Sequence, residues 1–421
     1  MQEKVYPRIH EKVITETLAN GLKIVIVPKP GFTKAYAQLS VHYGSIDAAF
    51  DAGKGIVVPP KGVAHFLEHK VFEQPDGGNA LTTFAQTGAS PNAFTSKNMT
   101  AYHFSCTENF ERNLEILLDF VSSPHFTEEN VSKEQGIIGQ EIGMVNDKPD
   151  FKVYENLMAN LFKVHPARDS IIGTVESIGN IDRNVLYDCY RTFYIPSNML
   201  LTVVGDVDAK KIIETAEAML DKKYTTPPKR DYGVEPCDVA CAEICQTMEC
   251  NLPIFALGFK KLAETSGDEG AANRACASMA CELLFGEGSA FYSELYGKGI
   301  INQEFGAEAI FYPGCIAIVL SGESRNPELV KEAVLKVSHN IDDEYFERIK
   351  RAIYGMKIRR SDRFASLCRS IAEAEFANFD YFDTFNIFEK ITKRDIMKFV
   401  ESFPWEKSMT MSKVLPKNEE V

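Results

Sequence analysis

Long apolar runs are absent from this sequence of 421 residues, since none of its apolar stretches is long enough to cross a bilayer. The opening residues, 1–7, contain neither the apolar region of a signal peptide nor an Arg-rich amphipathic presequence, so we expect a cytoplasmic protein. Positive charge is scarce as well: 46 Lys and Arg residues against 59 Asp and Glu residues give a net charge of −13. We therefore expect neither a membrane nor a nucleic acid as a partner.

Cysteine pairs of the kind that bind structural zinc are also missing. The ten cysteines include no Cys-x-x-Cys pair, and in the cytosol we expect them to stay reduced. Four of them cluster at Cys237, Cys241, Cys245 and Cys250, where a second metal site is one interpretation. The alternating apolar pattern of this segment instead favours a strand in which the cysteines act as small hydrophobic side chains. The glycine-rich turn at 286–289 lacks the Lys of a phosphate-binding loop.

The most informative motif is the pentapeptide His65-Phe66-Leu67-Glu68-His69. Its order, His-x-x-Glu-His, is the inverted form of the His-Glu-x-x-His signature of zinc proteases. Residues four apart share one face of a helix, so His65 and His69 can bind one metal ion. Glu68 reaches the same face, where its carboxylate can act as a base. The alternative is that the two imidazoles are hydrogen-bonded partners on a polar helix face.

A third metal ligand is predicted on a helix that starts after Thr127. Thr127 is a candidate N-cap, and the segment 128–147 has the pattern of a single helix. The apolar stripe of this helix includes two glutamates seven residues apart, Glu134 and Glu141. Carboxylates on an apolar stripe are costly to bury unless something such as a metal ion compensates their charge. In the alternative, the helix is rotated and both glutamates lie at the solvent margin.

With these residues the chain resembles the pitrilysin/insulinase-like zinc metallopeptidases, particularly the short-chain branch that includes the mitochondrial processing peptidase. In that family, His-x-x-Glu-His supplies two zinc ligands and the general base. A Glu several dozen residues later is the third ligand, and another Glu seven residues before it supports the site. In this chain Glu141 follows His69 by 72 residues. The resemblance implies that His65, His69 and Glu141 bind Zn²⁺, that Glu68 is the catalytic base and that Glu134 supports catalysis from outside the ligand set.

Further segments match the family in the same order along the chain. The stretch 88–95 resembles the family's edge strand beside the zinc, to which a substrate backbone adds as a further strand. Asn92 and Ala93 match its Asn-Ala core, so the implied substrate-binding residues are Asn92, Ala93 and Phe94. Segments 165–178 and 194–206 resemble the family's approach to the next helix and the strand that returns to the sheet.

The second half of the chain departs from the family at one place. Active members usually carry an Arg-Tyr pair there that holds the substrate carbonyl, but Asn302 stands where the Tyr would be, and no Arg stands at the expected helix end. Tyr292, Tyr296 and Arg325 are alternatives among which the sequence does not select. The resemblance implies a dimer, formed either with a homologous chain that lacks the zinc motif and brings the Arg-Tyr pair, or with a second copy that uses other residues. We favour the first arrangement.

A polar, proline-containing linker at 225–230 divides the chain. We predict a zinc-bearing domain at 1–228 and a homologous-looking domain without the zinc motif at 229–421. Strand-like and helix-like segments mix in both halves, which predicts the α+β class. The resemblance implies two similar α/β sandwiches, each an antiparallel-rich sheet covered by helices, that face each other across a cleft.

The predicted function is that of a zinc-dependent metalloendopeptidase that hydrolyses unfolded peptides or the leader segments of precursors. One alternative is a zinc-bearing subunit that is active only with a homologous partner chain. A second is a maturase that cuts a single precursor. A third is a non-catalytic assembly subunit, although such members of the family usually lose the zinc motif, which is intact in this sequence.

Overall fold

The computed structural model describes residues 1–53, 55–75 and 77–417. These residues form two compact units. Unit 1 consists of three segments, Met1–Ile142, Ser170–Tyr232 and Ile358–Phe376. Unit 2 consists of the segments Gly143–Asp169, Gly233–Lys357 and Ala377–Val421, of which the description ends at residue 417. The single boundary predicted at residue 228 therefore does not separate the units, because two segments belong to the opposite half.

Packing explains why residues 143–169 belong to unit 2 and residues 358–376 to unit 1. Residues 143–169 include a helix whose Val153 and Leu157 are buried against Ile254 and Ala256 of a unit 2 strand. Residues 358–376 include a helix that contacts two central strands of unit 1 and buries Leu367 completely. Burying such apolar side chains stabilises the fold by about 1.5–3 kcal/mol each.

The strands are numbered in chain order. They are β1 (Gln2–Tyr6), β2 (Glu11–Thr17), β3 (Lys23–Pro28), β4 (Ala35–Val41), β5 (Phe50–Asp51), β6 (Ile56–Val57), β7 (Ser90–Thr95), β8 (Thr100–Cys106), β9 (Met199–Gly205), β10 (Lys229–Arg230), β11 (Glu243–Met248), β12 (Ile254–Leu262), β13 (Gly306–Tyr312), β14 (Cys315–Glu323) and β15 (Met409–Pro416).

The helices are numbered in the same way. They are α1 (Val63–Val71), α2 (Ala80–Thr87), α3 (Phe110–Ser122), α4 (Glu128–Asn146), α5 (Pro149–Leu161), α6 (Val175–Gly179), α7 (Arg183–Phe193), α8 (Ala209–Met219), α9 (Gly267–Phe285), α10 (Ala290–Gly297), α11 (Pro327–Leu335), α12 (Asp343–Ser361), α13 (Phe364–Phe376), α14 (Asp383–Lys390) and α15 (Lys393–Glu401). Within the described part of the chain, every helix is too short or too polar to cross a membrane. The mixture of sheets and helices confirms the predicted α+β class.

Unit 1 is built on a seven-stranded sheet with the strand order β1-β2-β3-β9-β4-β8-β7. Only the β3–β9 pair is parallel among the described strands of this sheet. Strands β4 and β9 are buried along their whole length, as expected for apolar runs covered on both faces. Strand β7 lies at the edge, and its outer side faces no further strand of the described chain. The segment predicted to receive a substrate backbone is thus an edge strand.

Helix α1 carries the His-x-x-Glu-His motif, and Gly62 fixes where this helix begins. Gly62 has a φ of 90°, a conformation that L side chains rarely adopt. A Cβ on Gly62 would lie 2.6 Å from the carbonyl oxygen of Ile172. The chain can therefore turn into α1 against this neighbouring loop only with glycine at this position.

Unit 2 is built on a five-stranded sheet with the order β11-β15-β12-β14-β13. Its core includes Phe255, Phe259 and Leu284, which are almost fully buried between the sheet and α9. The predicted strand through Cys245 is present as β11, with Cys245 on its exposed face. Cys237 and Cys241 are exposed too, so the interpretation of these three residues as small hydrophobic side chains is wrong, because their thiols face solvent. Within the described residues the clustered cysteines form no metal-binding group.

A buried ion pair ties the end of the second unit 1 segment, Ser170–Tyr232, to the core of this unit. Arg230 donates from Nε to Oδ1 of Asp47 at 2.8 Å and from its guanidinium to Oδ1 of Asn198 at 2.9 Å. Asp47 is only 2% exposed, and its Oδ2 accepts the backbone N–H of Gly44 at 2.9 Å. Removing one charge of such a pair leaves the other buried without compensation.

We expect Asp47→Asn to lower the free energy of unfolding by about 3–5 kcal/mol. The amide keeps the shape of the side chain but leaves the Arg230 guanidinium without its counter-charge. Urea denaturation measures the change, and Asp188→Asn, at an exposed position of α7, is the matched control. A loss below about 1 kcal/mol, the size typical of a surface pair, would contradict this account of the ion pair.

Candidate metal centre

Helix α1 places the two histidines of the motif side by side. Their ring centroids lie 4.6 Å apart, and His65 is 7% exposed. Glu141 of α4 faces both rings: its Oε1 lies 3.7 Å from Nε2 of His65 and its Oε2 lies 3.7 Å from Nε2 of His69. The three residues that were predicted from the sequence as metal ligands therefore lie close together.

The spacing of these donor atoms suits a zinc ion. One ligand atom from each of His65, His69 and Glu141 can be chosen so that all lie within 4.8 Å of one another. Two donors that are each ~2.05 Å from a tetrahedral zinc are separated by about 3.4 Å, and each oxygen of Glu141 lies 3.7 Å from the histidine nitrogen that it faces. Two imidazoles and one carboxylate form a usual donor set for a catalytic zinc.

Glu134 orients one of the histidines. Its Oε1 lies 3.0 Å from Nδ1 of His69, on the opposite side of the ring from Glu141. An ionised carboxylate only accepts hydrogen bonds, so Nδ1 carries the hydrogen and Nε2 keeps its lone pair for a metal. Glu134 is 7% exposed, which contradicts the alternative of a rotated helix with both glutamates at the solvent margin. The side chain of Glu141 is 37% exposed, as suits a ligand on the open side of the site.

Helix α4 occupies the segment that was predicted from the sequence to be helical. The predicted N-cap is confirmed, because Oγ1 of Thr127 accepts the backbone N–H of Asn130 at 3.1 Å. The helix extends over Glu128–Asn146, and Val131 and Ile138 of the predicted stripe are buried. Seven residues correspond to about two turns, so Glu134 and Glu141 project from the same side of α4 toward α1.

Glu68 is held by the edge strand. Oγ1 of Thr95, the last residue of β7, donates to Oε2 of Glu68 at 2.5 Å. Burial raises the pKa of the Glu68 carboxyl above its usual value, although the hydrogen bond from Thr95 acts in the opposite direction. A carboxylate with a raised pKa is a better proton acceptor at neutral pH. Because Thr95 engages Oε2, Oε1 is the oxygen available to a water molecule.

The surrounding groups shift the pKa values of the two histidines in opposite directions. Burial, helped by the neighbouring His69, lowers the pKa of His65 to about 3, so His65 is neutral at physiological pH. Burial also acts to lower the pKa of His69, but the hydrogen bond to Glu134 and the surrounding carboxylates outweigh it and raise this pKa. For Glu134, burial is outweighed by the hydrogen bond with His69 and the charge of Lys70, which lower its pKa. The carboxylate of Glu141 therefore faces a neutral imidazole at His65, which favours a cation between them.

The predicted substrate-binding residues lie on β7. Asn92 is exposed, while Ala93 and Phe94 are partly buried. Oδ1 of Asn92 accepts the N–H of Ala93 at 2.9 Å, and the Arg369 guanidinium lies 5.0 Å from the Phe94 ring centroid. Thr95 connects the same strand to Glu68, so the edge that can accept a substrate strand adjoins the candidate base.

Sequence reasoning missed three residues of the site: Lys70, Glu73 and Thr95. The side chain of Lys70 is completely buried beside Glu134, and its Nζ also contacts Glu73. The sequence does contain a signal for Lys70, because a charged residue stands within the apolar stretch around His-x-x-Glu-His. Thr95 stands in the stretch that resembles the edge strand, but only the fold brings it to Glu68.

In unit 2, Asn302 and the three alternatives to the family's Arg-Tyr pair have different surroundings. Asn302 donates from Nδ2 to Oε2 of Glu323 at 2.8 Å, so this side chain is engaged in a structural contact. Tyr292 is buried and stacks on Tyr296 with ring centroids 5.6 Å apart. Tyr296 and Arg325 are exposed. Nothing in their geometry selects one of the three as a substitute.

Comparison with known proteins identifies the family. The family model described as insulinase, peptidase family M16, matches residues 23–175, which include every residue of the candidate metal centre. A second model, described as the peptidase M16 inactive domain, matches residues 180–353. An uncharacterized zinc protease of Bacillus subtilis, YmfH, is 38% identical over 98% of this chain and 99% of its own length. The chain belongs to the insulinase family, M16.

Further similar proteins agree with this result. The crystal structure of an M16-like peptidase from Alicyclobacillus acidocaldarius superposes with a TM-score of 0.92 at 33% identity, and the match covers 97% of this chain and 99% of that one. The mitochondrial-processing peptidase subunit beta of Caenorhabditis elegans is 28% identical over 86% of this chain and 80% of its own length. The family resemblance predicted from the motif, and the two-domain M16 architecture, are confirmed.

Proposed function

We propose that this M16 protein is a zinc-dependent metalloendopeptidase that hydrolyses unfolded peptides or the leader segments of precursor proteins. The observation that carries the proposal is the convergence of His65, His69 and Glu141, with Glu68 on the same helix and the edge strand β7 beside it. The names of relatives such as the Bacillus subtilis zinc protease support the same chemistry.

In this proposal His65, His69 and Glu141 hold the metal and Glu134 fixes the orientation of His69. A zinc ion bound there would supply Lewis-acid chemistry, by making a water molecule more acidic and polarising the substrate carbonyl. The arrangement favours a dication, because His65 is neutral and the carboxylate of Glu141 faces both imidazoles.

Glu68 is the general base in the proposed reaction. Its Oε1 accepts a proton from the attacking water and then gives this proton to the nitrogen of the leaving amine. Thr95 holds Oε2, which prevents the carboxylate from rotating away. Fixing the base in advance lowers the entropic cost of reaching the transition state.

Strand β7 aligns the substrate. An extended peptide adds to the free edge of β7 through backbone hydrogen bonds, beside Asn92, Ala93 and Phe94. Such pairing requires the substrate to be extended, which is why we propose unfolded peptides and leader segments as substrates. Because the backbone provides most of the contacts, the edge strand alone tolerates many sequences.

Digestion of a peptide library tests the proposal. The zinc-loaded chain is incubated with a mixture of unstructured peptides, and the fragments are identified by mass spectrometry, with Glu68→Gln as the control. We expect internal cleavage by the wild type and none by the variant. Cleavage of many sequences indicates a broad oligopeptidase, whereas cleavage of a few indicates a dedicated maturase. Identical fragments from the variant would contradict the proposed mechanism.

A second candidate is a zinc-bearing subunit that needs a homologous partner chain. The contact of Asn302 with Glu323 favours it, because the position that resembles the family's Tyr is occupied by a side chain engaged elsewhere. In this case the isolated chain binds one zinc ion but does not cleave the library. Turnover by the chain alone, at a rate proportional to its concentration, would eliminate this candidate.

A further inference from the structure

Lys70 is a fully buried cation next to the candidate metal centre. Its side chain is 0% exposed, and its Nζ lies 2.5 Å from Oε1 of Glu73 and 3.4 Å from Oε2 of Glu134. Transfer of an ammonium group out of water is costly unless carboxylates compensate its charge. Two carboxylates do so in this protein: Glu73 from the turn after α1 and Glu134 from α4.

The contact with Glu134 connects Lys70 to His69. Glu134 uses its two oxygens for different partners: Oε1 faces Nδ1 of His69 at 3.0 Å and Oε2 faces Nζ of Lys70 at 3.4 Å. A carboxylate held at both oxygens cannot rotate about its terminal bond without losing one contact. The orientation of the His69 ring therefore depends on Lys70 through Glu134.

Glu73 holds Lys70 from the other side. The 2.5 Å contact between Lys70 and Glu73 is shorter than the 3.4 Å contact between Lys70 and Glu134, so Glu73 limits how far the ammonium group can move. The resulting chain of contacts runs from Glu73 through Lys70 and Glu134 to His69. It lies on the side of the His69 ring that faces away from Glu141.

We propose that Lys70 is a positioning residue of the metal centre, which holds the Glu134 carboxylate against Nδ1 of His69 and thereby raises the affinity of the site for zinc. This inference rests on the proposed function, since it assumes that His69 is a zinc ligand. Partners outside the ligand set commonly change metal affinity by about 10–100-fold. Lys70 acts one contact further out, through a carboxylate that it also neutralises.

The test compares the zinc affinity of four forms of the full chain: wild type, Lys70→Met, Glu134→Gln and the double variant. Competition with a chromophoric chelator gives the dissociation constants. Methionine has a length similar to that of lysine and carries no charge, so it fills the same buried space. We expect Lys70→Met to weaken zinc binding by about 10-fold or more. The double variant should bind zinc no more weakly than Glu134→Gln alone, because both changes break the same chain of contacts.

A second measurement separates positioning from packing. The ¹⁵N NMR signals of the histidine rings report which nitrogen of His69 carries the hydrogen. We expect Nδ1–H to dominate in the wild type and a mixture of tautomers in Lys70→Met. Should Lys70→Met not fold, Glu73→Gln, at a position 29% exposed, removes the charge at the outer end of the same chain, and we expect a smaller loss of affinity.

Three results would overturn the inference. These are an unchanged zinc dissociation constant in the folded Lys70→Met variant, an unchanged constant in Glu73→Gln where that variant replaces it, and fully additive losses in the double variant. A lower melting temperature with unchanged affinity would assign Lys70 to packing alone. Absence of zinc binding by the wild type would instead refute the proposed function, so the two failures are distinguishable.

Discussion

Glu68→Gln is expected to lower kcat for peptide hydrolysis by about 10²–10⁴-fold, the usual contribution of a general base, and to leave the zinc content unchanged. The amide is isosteric with the carboxylate and can still interact with Thr95, but it cannot accept the proton of the attacking water. Because Glu68 is not among the three converging ligand residues, metal binding should not depend on its charge. Turnover of a quenched peptide and metal analysis of the same samples measure both effects.

The control for this prediction is Glu129→Gln, which removes an exposed carboxylate from the first turn of α4. It should change neither turnover nor zinc content. Full activity in Glu68→Gln would eliminate Glu68 as the base. Loss of zinc from Glu68→Gln would mean that its carboxylate belongs to the ligand set.

Glu141→Gln is expected to abolish both zinc binding and hydrolysis. The substitution removes the carboxylate that faces Nε2 of both histidines at 3.7 Å, so a bound ion would lose one of its three protein ligands. Mutation of a residue that only supports a metal ligand commonly weakens metal binding by up to ~100-fold. Because Glu141 is itself a proposed ligand, its loss should weaken zinc binding by more than that. Isothermal titration of the apo protein with zinc measures it, and the partly exposed position makes misfolding a minor concern.

Removal of the metal from the wild type should reproduce the phenotype of Glu141→Gln. Dialysis against a chelator is expected to stop hydrolysis, and one equivalent of zinc is expected to restore it. Because zinc binds only the folded site, its addition should also raise the melting temperature of the wild type but not of Glu141→Gln. A variant that binds zinc as tightly as the wild type would show that another residue is the third ligand.

The two histidines of α1 and the two glutamates of α4 could be singled out from the sequence because helical spacing encodes which side chains share a face. Spacings of four residues in α1 and seven in α4 place side chains on one face whatever the rest of the fold does. Spacing alone does not show that α4 lies beside α1. The family resemblance implied that Glu134 and Glu141 lie near the two histidines, and the contacts of these glutamates with His65 and His69 agree with that expectation.

Contacts that depend on packing between distant segments could not be predicted. Thr95 and Glu68 are 27 residues apart, and only the position of β7 at the sheet edge makes them neighbours. The assignment of α5 to unit 2 and of α13 to unit 1 escaped prediction for the same reason, since an apolar pattern does not tell against which sheet a helix packs. The exposed Cys245 was misjudged because the alternation of a strand does not reveal which face is buried.

X-ray diffraction from crystals of the zinc-loaded chain, with data collected on both sides of the zinc absorption edge, tests the central claim most directly. The account predicts one strong anomalous peak within about 2.0–2.2 Å of Nε2 of His65, Nε2 of His69 and a carboxylate oxygen of Glu141. The nearest oxygen of Glu134 should lie outside bonding distance, on the far side of the His69 ring. A zinc peak held by other residues, or none at this position in crystals grown with excess zinc, would contradict it.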